Sequence, residues 1–306
     1  MNEVYDIYHD ESREESYWHG FLFVPRSRRG YLLSLLRESR EGVNWHKPLS
    51  FKDIGSRTGP RSPRVRLAES WLNISLASFQ QQKLFTLPTS FCIYGSPPKY
   101  FLKLNELIKC KFVVFKERDN HRKMFAGLSK QERIETTFRM GIKGGIHRLF
   151  NKKNPITIGD VFIDKFGHGF DVNRSLRRFA REKNEYVSFL KDSKLIQQHS
   201  DHRKIRKNQK SDDSQFLQLC DILIGGVRFH SYCPDSRKIK YKISWPCKII
   251  LERDTNNEFR MKQSRFFNSF TLGETWLEDR NWQFRPLKLG EDKGAPKLIQ
   301  LKLPNF

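Results

Sequence analysis

The chain has 306 residues and a formal net charge of +23, from 57 Lys and Arg against 34 Asp and Glu, with a pI near 9.9. That length can bury a substantial core, and an aromatic content of 13%, with 25 Phe, argues against global disorder despite a hydrophobic share of 37%. The charge points to a polyanion, nucleic acid foremost. No apolar run nears the ~20 residues of a membrane span and no signal peptide is evident, so a membrane partner is excluded and a cytoplasmic location expected.

Val4–Glu11 is a β-branched and aromatic run that ends in two carboxylates, Asp10 and Glu11. It reads as a first strand, with Tyr17–Val24 returning as its hairpin partner. Side chains alternate along a strand, so Asp10 shares a face with Tyr8 and Asp6 while Glu11 points away unless the backbone bends. Tyr31–Arg40 has helical apolar spacing at Leu32, Leu35 and Leu36, and Pro48–Lys52 follows as a loop and short strand. Gly55–Arg66 is rich in Gly, Ser and Pro and carries Arg57, Arg61, Arg64 and Arg66 without an acid. It is expected to be a flexible basic loop that clamps phosphates, because such arginines repel one another unless an anion is present.

Leu67–Leu84 reads as a helix, and Ser90–Tyr94 and Cys110–Phe115 as strands, the second apolar enough to be central. Ser129–Phe150 is the longest helical pattern. Ser129 and Glu132 have capping-box spacing, and Ile134, Phe138, Ile142 and Ile146 form a core face. Glu135, on the flank of that face, is a candidate further carboxylate for a site, set against the simpler reading of a solvated helix charge. Ile156–Asp164 is another strand ending on an acid. Asp171–Lys183 reads as a basic helix, and Arg203, Lys204, Arg206, Lys207 and Lys210 form a second basic cluster.

Ser214–His230 is a helix with a core stripe at Leu217, Cys220, Ile224 and Val227. Gln218, Asp221, Gly225 and Arg228 line an adjacent face. An acid one turn before a glycine suggests close approach to another element, with Asp221 aimed at something specific. Asp212 and Asp213 are plausible N-caps. Beyond residue 231, Ile243–Glu252 reads as a strand. The aromatics and arginines of Phe259–Phe306 either pin an irregular tail, the favoured reading, or stack bases. The cysteines (Cys92, Cys110, Cys220, Cys233 and Cys247) have no C-x-x-C spacing and are expected to be reduced packing residues. His199 and His202 make only a weak zinc signal.

Asp10 and Asp164 end strands and Asp221 sits on a late helix, a set that would bind divalent cations. Phosphodiester hydrolysis by two metals requires several carboxylates, whose oxygens suit Mg²⁺ or Mn²⁺.

Ile7-Tyr8-His9-Asp10-Glu11-Ser12 and Phe216-Leu217-Gln218-Leu219-Cys220-Asp221-Ile222-Leu223 resemble the two signature stretches of the DUF3800 family. The resemblance covers residues 4–230. It implies a ribonuclease H-like fold, nuclease activity and, in some members, a place in phage defence or mobile elements. It also implies Asp10, Glu11, Asp164 and Asp221 as catalytic metal ligands, with Gln218 supporting Asp221. The chain departs from the pattern at Arg13, at Cys220 and around Trp45-His46.

The expected molecule is therefore an α/β protein. Residues 1–230 form a ribonuclease H-like mixed sheet flanked by helices, with a basic insertion near 55–84. Residues 231–306 form an aromatic and basic extension packed on it. The expected function is that of a Mg²⁺- or Mn²⁺-dependent nuclease acting on RNA or DNA, with Arg57, Arg61, Arg64, Arg203, Lys204 and Arg206 holding the backbone. The alternative is a non-catalytic nucleic-acid-binding subunit that recruits a partner protein.

Overall fold

The first hairpin sets the frame. β1 (Val4–Ser12) and β2 (Trp18–Pro25) pair antiparallel, with Asp10 opposite Gly20 and Glu11 opposite His19. β1 thus continues past the acid pair instead of ending on it. The computed structural model describes residues 2–13, 16–55, 58–79, 110–117, 129–164, 186–204, 211–232, 238–247, 270–278 and 281–286. Arg57, Arg206, the strand expected at Ser90–Tyr94 and the helix expected at Asp171–Lys183 lie outside them.

α1 (Arg26–Gly42) follows β2 directly, and Phe51–Asp53 is one 3₁₀ turn. The short strand expected at Pro48–Lys52 is therefore not formed. α2 (Pro63–Phe79) begins earlier than its apolar pattern implied. Proline suits a first helical position, since its missing N–H would be unsatisfied there anyway. Arg64 and Arg66 consequently ride on a helix and not in a flexible loop. The same helix buries Val65, Leu67, Ala68, Trp71 and Leu72 in the core.

β3 (Lys111–Glu117) pairs with β2, and α3 (Lys130–Leu149) starts on a capping box made by Ser129 and Glu132, as their spacing implied. β4 (Ile156–Asp164) then runs parallel to β1, and the short strands β5 (Val187–Phe189) and β6 (Leu195–Gln198) lie in turn along its far edge. A 3₁₀ turn at His202–Lys204 leads to α4 (Ser211–Tyr232), and α5 (Lys238–Ile243) comes next. In α4 the first-turn acids Asp212 and Asp213 pair with Arg37 and Arg29 of α1.

Two expectations about the C-terminal part are corrected. Residues 243–247 are helical apart from a turn at Ser244, so no strand starts at Ile243. The Phe259–Phe306 region is no irregular tail where it is described. β7 (Phe270–Glu278) pairs parallel with β3, and β8 (Asn281–Pro286) closes the sheet beyond it. Among the described residues the sheet has eight strands in the order β5-β4-β1-β2-β3-β7-β8, with β6 also on β4.

Both faces of this mixed sheet are covered. Tyr8, Leu22, Val24, Phe112, Val114 and Phe162 face α1, α2, α4 and α5. Ile7, Phe21, Phe23, Val113, Phe115, Ile158, Val161 and Ile163 face α3. In β4 the inward positions skip from Ile158 to Val161, and the β1–β4 register shifts at the same place. This bulge reverses the parity of the strand. Without it Asp164 would share the α3 face with Ile158; with it Asp164 joins Phe162 on the face of α4. Asp6 pins the bulge, its Oδ1 accepting from the Asp160 N–H at 2.9 Å and from Arg26 Nε at 2.8 Å. No helix among the described residues is long and apolar enough to cross a membrane.

Candidate active site

Asp10 lies on β1, Asp164 at the end of β4 and Asp221 in the middle of α4. Small residues let these elements meet. A Cβ on Gly20, the cross-strand partner of Asp10, would sit 2.4 Å from Ile224 Cγ1, so α4 rests directly on the backbone of β2. The Cys220 thiol sits 3.4 Å from the Gly20 carbonyl and 3.6 Å from that of Tyr8, donating to both. Asp221, next along α4, is thereby brought over the end of β1.

The result is a cleft of about 710 Å³ lined by Asp10, Glu11, Asp164, Gln218, Asp221, Arg64 and Arg203, all expected from sequence. It is also lined by residues the sequence did not single out for the site, among them Arg13, Lys47, Ser50, Phe51, Lys52, Ser200 and Asp201. Gly225 and Arg228 line it too, completing the face of α4 noted from its spacing. Glu135 is not part of it, because α3 covers the opposite face of the sheet. Arg61 and Lys204 are exposed and outside the lining.

Each acid has its own donors. Asp10 Oδ1 accepts from the Glu11 N–H at 2.8 Å. Asp164 accepts from the Ser200 N–H at 2.9 Å and its hydroxyl at 3.0 Å. Asp221 Oδ2 accepts from the Phe51 N–H at 2.9 Å. Glu11, at the rim, is held by Arg13 at 2.6 Å and by the Tyr17 hydroxyl.

Burial, then the charges of Asp221 and Asp164, push Asp10 well above the usual carboxylate range. Burial also raises Asp221, against the pull of Ser50, the Phe51 N–H and Lys52. At the rim Asp201 is pulled down to about 2 by hydrogen bonds from Arg203. The cluster therefore carries repulsion that an added cation would relieve.

Gln218, expected to support Asp221, is bonded to the loops on both sides of the cleft. Its Oε1 accepts from the Leu49 N–H at 2.9 Å and from Arg40 Nη2 at 2.9 Å, and its Nε2 donates to the Ser200 carbonyl at 2.6 Å. One carboxamide thus ties the loop that caps Asp221 to the loop that caps Asp164. Arg40, buried in α1 and lowered to about 10 by that burial, also donates to the carbonyls of Trp45 and Lys47. Nothing in the apolar pattern of α1 marked it for this role.

Gly225 meets the expectation of close approach. A Cβ there would lie 2.2 Å from Phe51 Cγ, so the missing side chain lets the 3₁₀ turn sit on α4 and point its N–H at Asp221. Behind the site, on the face of α3, His9 and His19 share a buried hydrogen bond of 3.1 Å, and His19 reaches Glu117 at 3.3 Å.

Among the described residues no three His, Cys, Asp or Glu side chains form a group that could hold a metal ion. His202, half of the weak zinc signal, instead contacts the His46 carbonyl at 3.0 Å. Asp10, Asp164 and Asp221 share the cleft but are each turned to a neighbouring donor. Compared with known proteins, the chain matches no family profile, no curated protein and no solved structure.

Proposed function

We propose that the protein is a divalent-metal-dependent nuclease of ribonuclease H-like, DUF3800-type architecture that hydrolyses phosphodiester bonds of RNA or DNA. One observation carries the reading: three aspartates from distant parts of the sequence line one cleft whose walls bear lysines and arginines. The β1–β2–β3 antiparallel meander, joined through β1 to a parallel β4, supports the fold part of the proposal.

The oxygen donors of Asp10, Asp164 and Asp221 suit Mg²⁺ or Mn²⁺, and these residues, with Glu11 at the rim, would hold the metal. Such an ion would supply Lewis acidity toward phosphate and lower the pKa of water. The protein's own groups do the rest. Lys47, Lys52 and Arg64 on one wall and Arg203 on the other bind phosphate oxygens. Gln218 and Gly225 fix the loops that orient Asp164 and Asp221. Burial and the neighbouring carboxylates disfavour the ionised form of Asp10, a cost that an added cation would relieve.

Asp10→Asn is expected to lower Mg²⁺- or Mn²⁺-dependent cleavage of mixed RNA and DNA substrates by about 100-fold or more. Unchanged cleavage would remove the catalytic claim.

That Asp10, Asp164 and Asp221 each accept from a neighbouring donor favours a second reading, a non-catalytic nucleic-acid-binding subunit that recruits a partner protein. That reading expects salt-sensitive binding with no turnover and no response to EDTA.

A further inference from the structure

We propose that His202 is a positioning residue that clasps Gln218 in its neutral form and lets go on protonation. The proposal rests on the reading of the cleft as a nuclease site. It adds a pH dependence that belongs to a group other than the aspartates.

The hydrogen bonds around Gln218 leave His202 one tautomer. Gln218 Oε1 accepts from the Leu49 N–H and from Arg40 Nη2, both at 2.9 Å, so the carboxamide cannot be turned round without setting donor against donor. Its Nε2 end therefore faces the Ser200 carbonyl at 2.6 Å and His202 Nδ1 at 3.3 Å. On the other side of the imidazole, Nε2 lies 3.0 Å from the His46 carbonyl, which can only accept. The ring proton is thus on Nε2, and Nδ1 offers its lone pair to the Gln218 NH₂.

A second ring proton would go to Nδ1. There it would point an N–H at the Gln218 NH₂, and the bond would be lost. The consequence reaches the acids through short links. Ser200, whose carbonyl the same NH₂ holds, donates its N–H and hydroxyl to Asp164. Leu49, held by the other end of the amide, is two residues from Phe51, whose N–H caps Asp221.

The surroundings set where His202 titrates. Burial disfavours the charged ring, and the His46 carbonyl opposes that effect. Arg40 of α1 also disfavours it, while in its own turn Asp201 favours the charge and Arg203 disfavours it. From α4 the ring meets only the neutral Gln218 carboxamide, and from the preceding loop a carbonyl, the His46 ring being turned to Asn44. The balance lies below the ordinary histidine value.

The test uses the full chain, with Mg²⁺ or Mn²⁺ and mixed RNA and DNA substrates, from pH 4.5 to 8. Cleavage by each variant is divided by that of wild type at the same pH, which cancels every titration the two share. His202→Leu, with no clasp at any pH, should be about ten-fold slower than wild type at pH 8, the size of one lost hydrogen bond. It should match wild type at pH 4.5. His202→Gln, whose amide keeps a donor and an acceptor but does not titrate, should gain about ten-fold on wild type between pH 8 and pH 4.5. Ratios that stay constant across the range overturn the proposal and leave the nuclease reading standing. The second arm needs no activity: nitrogen-15 NMR of the wild-type histidines should find His202 protonated on Nε2 at pH 8. The Gln218 side-chain amide signals should move with the His202 midpoint. An Nδ1–H tautomer, or a Gln218 amide indifferent to that titration, overturns the clasp. If no protein cleaves at any pH the nuclease reading falls, and the NMR arm alone decides the clasp. That arm also decides it should the variants fail to fold.

Discussion

Asp10 shows how one side chain can trade stability for chemistry. Burial of its carboxylate is the largest cost to its ionised form, and the charges of Asp221 and Asp164 add to it. The folded protein therefore binds the Asp10 proton more tightly than the unfolded chain does. Stability from the neutral form is fully present below the ordinary carboxylate pKa and is lost as pH rises through the higher folded value. The amide of Asp10→Asn keeps a carbonyl oxygen for the Glu11 N–H but carries no charge. The variant is expected to be more stable than wild type at neutral pH by on the order of 1 kcal/mol, about 2–4 °C in melting temperature. The two should converge near pH 3, where wild-type Asp10 is itself protonated. Thermal melts across pH 3–8 without divalent cations would measure this. A variant less stable at neutral pH would show that the lost ionic bond to the Glu11 N–H outweighs the repulsion.

Among the elements, β4 contributes most to the site through an irregularity. Its bulge turns Asp164 to the side of α4, and Asp6 fastens the bulge by accepting from Asp160 N and Arg26 Nε. Asp6→Ala would strip an acceptor from a part-buried amide, a loss of about 1–3 kcal/mol, and should lower cleavage along with urea stability. Asp6→Asn keeps the acceptor oxygen and should lose less of both. Equal losses in the two variants would locate the role of Asp6 in its charge to Arg26 instead. That Ile156–Asp164 is a strand ending in an acid was legible in the sequence, as were β1, β2, the capped α3 and the two-faced α4. The parity of β4 was not, because apolar residues flank the bulge on both faces and either register buries several of them. The strand expected from Ile243 misread its start, which lies in and just after a helix: α5 ends at Ile243, residues 245–247 are helical, and Lys240 of α5 is buried 4.8 Å from the Phe51 ring. Gly225 was readable because a glycine within an apolar helix is costly unless something must pass close by. Its partner Phe51 was hidden in a stretch too short to have a period.

Charge behaves differently over the whole molecule than within the cleft. The chain carries +23, but the cleft lining has six cations (Arg13, Lys47, Lys52, Arg64, Arg203 and Arg228) against six carboxylates (Asp10, Glu11, Asp53, Asp164, Asp201 and Asp221). Formally the cleft is neutral and the excess positive charge lies elsewhere on the chain. A polyanion is thus drawn by the long-range field of the protein, yet meets no net attraction in the cleft until some of its acids are neutralised. Two dependences should follow. With Mg²⁺ present, single-strand affinity should fall steeply with monovalent salt. If about five phosphates are neutralised, the loss between 50 and 200 mM is about 100-fold. With EDTA, wild-type affinity should drop while the salt dependence persists, because the outer charge still binds but the cleft does not. Asp10→Asn removes one of the six carboxylates and should narrow that EDTA effect. Anisotropy titrations of a labelled oligonucleotide in the four combinations of wild type or variant with Mg²⁺ or EDTA would show it. Affinity that ignores EDTA in both proteins would place the bound strand on the outer basic surface and away from the aspartates.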